Sequence, residues 1–170
     1  MLNLLRKSAA RKQEGRRLYD GLVSRAREPV FFTVFTVADT LDGRFDLLAL
    51  HAWLVLAELK GGDTAQALTD TIFTGFDEAM REQGAGDMGI ARKLKAMADA
   101  FYGRMAAYDT AKDESALAAA LAKNLWRGAA TDDRAHALAA YVLRARQSLK
   151  QSLPDTLDFG PLPNLERPAI

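Results

Sequence analysis

The sequence of 170 residues has no cysteine and only two histidines. Without thiols, the chain cannot form disulfides, thiolate zinc sites, iron–sulfur clusters or thiol nucleophiles. His51 lies in a strongly apolar stretch, which favours a buried structural histidine over a metal ligand. His136 follows Asp132 by four residues, a spacing typical of a surface pair on a helix. We therefore expect this chain to hold no metal, haem or other cofactor.

A long hydrophobic run is also missing. The most apolar stretch, residues 45–59, is interrupted by Asp46, His51 and Glu58. It is shorter than the roughly 20 residues that a membrane span requires. The N-terminal residues lack the apolar segment and small-residue cleavage site of a secretory signal. These absences predict a soluble, cytoplasmic protein, and they leave peripheral contact with the inner membrane open.

The motifs of common enzyme classes are absent as well. The sequence contains no Gly-x-Ser-x-Gly elbow and no Gly-x-x-x-x-Gly-Lys phosphate loop. Gly84, Gly86 and Gly89 have the spacing of a dinucleotide-binding fingerprint. They follow a predicted helix instead of a strand, and no β-α-β unit surrounds them, so this interpretation fails. We expect that the protein is not an enzyme.

Only one stretch, residues 30–37, is rich enough in β-branched and aromatic residues to resemble a strand. A lone strand has no pairing partner, so we expect a short helix or an extended packed segment there. Residues 45–59 contain 12 apolar residues among 15, which predicts a helix surrounded by other helices. Most of the remaining chain has apolar residues at helical spacing. The sequence thus predicts an all-α, single-domain bundle of about six to seven helices around a central apolar helix.

The two ends of the chain differ from its middle in composition. Four of the five prolines follow residue 153, which predicts an extended Pro-rich C-terminal tail over residues 154–170. Residues 1–27 carry eight Lys or Arg against two carboxylates, a net charge of +6 that leaves −5 for the rest. We expect a basic N-terminal arm over residues 1–17, continuing into the first helix, and a helical domain over residues 18–153. Such an arm is either a solvated helix or a contact to an anionic membrane surface or a ribosome.

Carboxylates and arginines concentrate in two segments that we interpret as loops. The first, residues 39–44, contains an Asp42-Gly43 step that favours a tight turn. The second contains Arg81, Glu82 and Asp87. These residues are expected to cap helix ends and to pair across neighbouring loops. A catalytic role, the alternative, would require a partly buried carboxylate in a cleft.

The same two segments carry a resemblance to a known family. Three blocks resemble the ubiquinol–cytochrome c chaperone family over about residues 19–150. The first is residues 26–31, 37–47 and 50–51, which include Asp42-Gly43-Arg44-Phe45-Asp46, and the second is residues 76–89, which include Arg81-Glu82-Gln83-Gly84-Ala85-Gly86-Asp87. The third is residues 93–97, 101–104 and 108–109. Because a long presequence is missing, the chain looks similar to the bacterial members. The first two blocks are specific in combination, although each alone is weak.

The resemblance implies an assembly factor, a chaperone that binds newly made cytochrome b for biogenesis of ubiquinol–cytochrome c reductase. Mitochondrial members of that family act with a small partner protein near the ribosomal tunnel exit. The resemblance also implies that partner contacts are made by polar and small residues of the shared blocks and their flanks: Asp39, Thr40, Asp42, Gly43, Arg44, Asp46, Arg81, Glu82, Gly86, Asp87, Arg104 and Tyr108.

An apolar membrane-protein client requires an exposed apolar groove on its chaperone. The candidate groove residues are aromatic, although aromatics at helical spacing are more often core residues: Phe31, Phe32, Phe35, Trp53, Phe101 and Tyr102.

Arg44 has two possible roles in such a protein. If it bridges its loop to Asp87 or Glu82 in a buried pair, Arg44→Ala should destabilise the fold. If it contacts the partner instead, the variant should keep its melting temperature and lose binding.

Overall fold

The structure of the protein, a computed structural model, describes residues 2–82, 87–128 and 133–165. Within these ranges the chain forms seven α-helices and no strand. They are α1 (Leu2–Ala26), α2 (Pro29–Thr33), α3 (Leu41–Leu59), α4 (Gly62–Glu82), α5 (Asp87–Asp109), α6 (Glu114–Leu125) and α7 (Asp133–Ser152). The prediction of an all-α bundle with six to seven helices is confirmed. None of the described helices is both long and apolar enough to span a bilayer.

Helix α3 occupies the centre of the bundle. Ten of its residues are buried, and it packs against α1, α4, α5, α6 and α7. An apolar surface on nearly every side can be removed from water only when neighbouring helices surround it. The predicted central apolar helix is therefore confirmed, and the other helices are arranged around it.

The segment between α1 and α3 is short and closely packed. Pro29 occupies the first turn of α2, a position where its missing amide hydrogen costs nothing. Phe31 and Phe35 are fully buried, and Val37 is nearly so. The strand-like composition of residues 30–37 thus serves core packing, through a short helix followed by an irregular segment.

The Asp42-Gly43 step does not form the predicted tight turn, because α3 already begins at Leu41. The Thr40 side chain caps this helix by accepting a hydrogen bond from the Gly43 amide at 3.2 Å. A Cβ atom at position 43 would lie 2.0 Å from the Ala38 carbonyl oxygen. Glycine is required here because the preceding segment approaches the helix closely, and not because a turn needs its conformational freedom.

His51 is the buried structural histidine that the sequence predicts. It is fully buried, and its Nδ1 lies 2.8 Å from the Leu47 carbonyl oxygen, so Nδ1 carries the proton and donates. Nε2 then accepts from the Tyr141 hydroxyl at 2.9 Å, and that hydroxyl accepts from Arg25 Nε at 3.0 Å. This relay joins α3, α7 and α1. Phe159, from the segment after α7, packs against the His51 ring with 5.4 Å between ring centroids.

The burial of His51 predicts a pH dependence of stability. Burial lowers the pKa of His51 from 6.5 to about 4. Between these values the unfolded chain binds a proton that the folded chain does not, so stability falls as pH falls. We expect a loss of about 2 kcal/mol in the free energy of unfolding from this group between pH 7 and pH 5. Urea unfolding of the native protein and of His51→Gln at both pH values measures it.

His136→Gln is the matched control, because His136 is exposed on α7. It should retain the pH dependence of the native protein, whereas His51→Gln should show a smaller one. An equal change in the free energy of unfolding between the two pH values in all three proteins would contradict the attribution of the pH dependence to His51.

Candidate functional site

A groove of about 720 Å³ opens between α3, α4, α5 and the end of α6. Its apolar walls are formed by Leu41 and Phe45 from α3, Phe76 and Met80 from α4, and Met97 from α5, together with alanines of α4 and α5. Leu41 at the rim is 60% exposed, the largest exposed fraction among the large hydrophobic residues described. Methionine side chains are flexible and polarisable, and they adapt to apolar partners of irregular shape. The groove thus offers an adaptable apolar surface to a partner.

The polar end of the groove is built on Asp46, a carboxylate with no exposed surface. Its Oδ1 accepts from Arg104 Nε at 2.5 Å, and its Oδ2 accepts from an Arg127 guanidinium nitrogen at 2.6 Å. Burial raises the pKa of the Asp46 carboxyl, and the two guanidiniums oppose that effect. A buried charge is tolerated only when it is paired in this way. The arrangement connects α3 to α5 and to Arg127, two residues after the end of α6.

The two arginines are themselves held in place. The Arg104 guanidinium lies over the Phe45 ring, 5.0 Å from its centroid, and also donates to the Ala100 carbonyl at 3.1 Å. Arg127 adopts a left-handed backbone conformation with φ of 59° just after α6. Its side chain donates to the Asn124 carbonyl at 2.6 Å and lies 3.8 Å from the Asp42 carboxylate. Both guanidiniums are therefore fixed at the edge of the groove.

Three of the predicted partner-binding residues meet at this site: Asp42 and Arg104 line the groove, and Asp46 lies between the two arginines. Tyr108 is buried close to them, where burial raises the pKa of its hydroxyl. The structure therefore combines residues from two of the sequence blocks in one place.

Two further predicted residues do not line the groove. Asp39 and Arg44 form an ion pair of 2.6 Å, with more than half of each side chain exposed. Arg44 does not pair with Glu82, which is exposed at the end of α4, and the side chain of Asp87, the other partner considered for it, lies outside the described residues.

Thr40 and Gly43 shape the start of α3, as described above, and Arg81 pairs with Asp77 on α4 at 2.7 Å. Gly86 and the side chain of Asp87 fall outside the described residues. The partner-binding role of these residues stays a prediction.

Most of the aromatic residues expected in a groove belong to the core instead. Phe31, Phe35 and Phe101 are fully buried, and Trp53 is 2% exposed with its Nε1 donating to Asp109 at 2.6 Å. Phe32 is partly buried, and Tyr102 is exposed. Large aromatic rings remove the most apolar area from water when they are enclosed, and this explains their position. The prediction that Phe31, Phe35, Trp53 and Phe101 line an open groove is wrong.

Sequence reasoning missed Lys93, Met97, Lys123, Asn124 and Arg127 as groove residues. The sequence of α5 did carry a signal for a shared face. Four of its residues recur at helical spacing, with Met97 and Ala100 between the basic residues Lys93 and Arg104. For Arg127 no local signal exists, since the direction of its side chain depends on its own left-handed backbone conformation after α6.

The buried network predicts an unequal response to two charge removals. Asp46→Asn removes the charge shared by Arg104 and Arg127, and should lower the free energy of unfolding by about 3 kcal/mol. Arg44→Ala is the matched control: it breaks an exposed ion pair, and the unfolding midpoint should hardly change. Urea titrations of the two variants measure both effects. A larger loss of free energy of unfolding for Arg44→Ala than for Asp46→Asn would contradict the claim that the buried Asp46 network stabilises the fold.

Comparison with known proteins gives consistent matches. A profile of the family described as "Ubiquinol-cytochrome C chaperone" matches residues 33–159. The ubiquinol-cytochrome-c reductase complex assembly factor 1 of Xenopus laevis is 27% identical over 150 residues, covering 84% of this chain and 72% of that protein. The crystal structure of the Cbp3 homolog from Brucella abortus is similar with a TM-score of 0.78 and 38% identity, covering 91% of each chain.

The matched range contains α3, α4, α5 and α6, the helices that build the groove. It also spans well over half of the chain. This protein belongs to the ubiquinol-cytochrome c chaperone family.

Proposed function

We propose that the protein binds newly made cytochrome b as an assembly factor for ubiquinol–cytochrome c reductase, and that the groove holds an apolar segment of this client. The observation that carries the proposal is the open apolar groove between α3, α4, α5 and α6, within a chain of a chaperone family. A protein that inserts many apolar helices into a membrane needs its apolar surface covered beforehand. The groove has the chemistry for that task.

The composition of the groove supports transient holding. Its walls combine two methionines with several alanines, which leave space and can adapt to different side chains. Of the aromatic rings, Phe45 and Phe76 form part of the walls, whereas Phe31, Phe35 and Phe101 are enclosed in the core. A surface of this kind binds a range of apolar segments without demanding one precise shape.

The role is proposed to be non-catalytic. The carboxylate buried at the groove, Asp46, has each oxygen bonded to an arginine, and these two ion pairs account for it as a structural anion. In the described ranges, no cluster of three or more His, Asp or Glu residues could hold a metal ion. These observations favour a binding protein over the alternative of a small helical enzyme.

A second candidate is contact with an anionic membrane surface, or with a ribosome, through the basic arm. Residues 6–13 of α1 are all exposed. Arg11 pairs with Asp63 on α4 at 2.6 Å, whereas Arg6, Lys7 and Lys12 have no ion-pair partner in the part of the chain that the structure describes. This surface would hold the protein at the cytoplasmic face of the inner membrane, where the client inserts.

Filling the groove should impair client holding without unfolding the protein. Ala96 lines the groove and is exposed on α5, so Ala96→Trp places a bulky ring in it. In cells that lack the native gene, we expect this variant to restore less than about a third of the cytochrome b level, because the client loses its contact area. Immunoblotting and haem difference spectra of membranes measure this level.

Ala106→Trp is the matched control, because Ala106 is exposed on the same helix but does not line the groove. It should restore cytochrome b to the level that the native protein gives. Unchanged cytochrome b in cells that lack the gene altogether would overturn the proposed function.

The basic arm predicts salt-sensitive binding to anionic vesicles. Replacing Arg6, Lys7 and Lys12 by Gln should weaken binding to phosphatidylglycerol-containing vesicles on the order of a hundredfold. The control replaces three exposed basic residues elsewhere, Arg92, Lys112 and Lys150, by Gln. Cosedimentation at several salt concentrations measures both variants. Binding to ribosomes but not to vesicles would favour the ribosome alternative.

A further inference from the structure

Two buried polar atoms beside the groove have no hydrogen-bond partner. They are the Nδ2 of Asn124, which lines the groove from α6, and the hydroxyl of Tyr108, which is 2% exposed on α5. Burial raises the pKa of the Tyr108 hydroxyl, and the Asn124 side chain lowers it by directing its amide towards the hydroxyl oxygen, although the two groups miss full hydrogen-bond geometry. Buried polar atoms without partners are rare, because they lose their hydrogen bonds to water and form none in the protein in return.

The charged residues around the groove are mostly cationic. Lys93 from α5 and Lys123 from α6 both line it, and neither has an ion-pair partner among the residues that the structure describes. Arg104 and Arg127 are engaged with Asp46. Asp42 is the carboxylate among the lining residues, and it lies exposed beside Arg127. The groove thus offers an apolar wall together with unused donors and unpaired positive charge.

We propose that the groove selects apolar helical segments that carry a carboxylate side chain, with Lys93 and Lys123 as the countercharges and with the Asn124 amide, turned from its buried position towards the ligand, as the hydrogen-bond donor. The proposal rests on the client-holding function proposed above and names the chemistry of the segment held. A carboxylate only accepts hydrogen bonds, so it complements an amide N–H and two ammonium groups.

This selectivity has a physical purpose. A carboxylate in a membrane-spanning segment is costly to leave without a partner, and it delays stable insertion of that segment. A chaperone that pairs the carboxylate outside the membrane can hold the segment until its final partner is available. Charge complementarity thus favours an acidic apolar helix over a purely apolar one.

Two labelled peptides test the inference directly. Each is a helix of about 20 Leu and Ala residues, and the two differ only in a central Glu or Gln. Fluorescence anisotropy should show that the native protein binds the Glu peptide about tenfold more tightly than the Gln peptide. Asn124→Leu and the double variant Lys93→Gln/Lys123→Gln should each bring this ratio towards one, with little change in the affinity for the Gln peptide. The double variant changes only exposed side chains, so it separates loss of selectivity from loss of folding.

Three outcomes would overturn the inference. Equal binding of both peptides, lost in Ala96→Trp, would reject the selectivity and leave the client-holding function standing. No binding of either peptide, together with normal cytochrome b in cells that carry Ala96→Trp, would reject both proposals. Oleate binding that depends on Asn124 and the two lysines, without a preference for the Glu peptide, would identify the ligand as a lipid.

Discussion

The buried carboxylate of Asp46 is the interaction on which the groove depends. It connects the central helix α3 to Arg104 on α5 and to Arg127 after α6, and these elements form one side of the groove. A charge with no exposed surface needs both guanidiniums, so the positions of the two helices are coupled through it. The pairing of Asp46 with both arginines therefore fixes the apolar groove and its cationic edge together. A contact between apolar side chains has no such directional requirement.

The division of apolar side chains between core and groove follows from the same arrangement. Aromatic residues such as Phe31, Trp53 and Phe101 stabilise the bundle by being enclosed. The groove is lined by methionines, alanines, the exposed Leu41 and the rings of Phe45 and Phe76. This division lets the protein keep an open apolar surface without weakening its core, which is the requirement for a chaperone of an apolar client.

The sequence could predict the helical class and the central position of α3, because both depend on local periodicity and on the density of apolar residues. It could also predict that His51 is structural. The start of α3 could not be predicted, because the glycine at position 43 is required by the close approach of the Ala38 backbone and not by a turn. The groove combines residues of four helices, and Arg127 pairs with Asp46 from a left-handed backbone conformation that follows α6. The shared sequence blocks pointed to Asp42, Asp46 and Arg104, but their meeting point is a property of the tertiary structure.

The most direct test of the account asks whether the client contacts the groove. A photoreactive benzoylphenylalanine at Met97, inside the groove, is compared with the same residue at Leu143, which is exposed on α7 away from it. Irradiation of intact cells followed by immunoblotting identifies what is cross-linked. The account predicts a cross-link to cytochrome b from position 97 and little or none from position 143. An equal yield from both positions, or a cross-link from position 143 alone, would contradict it.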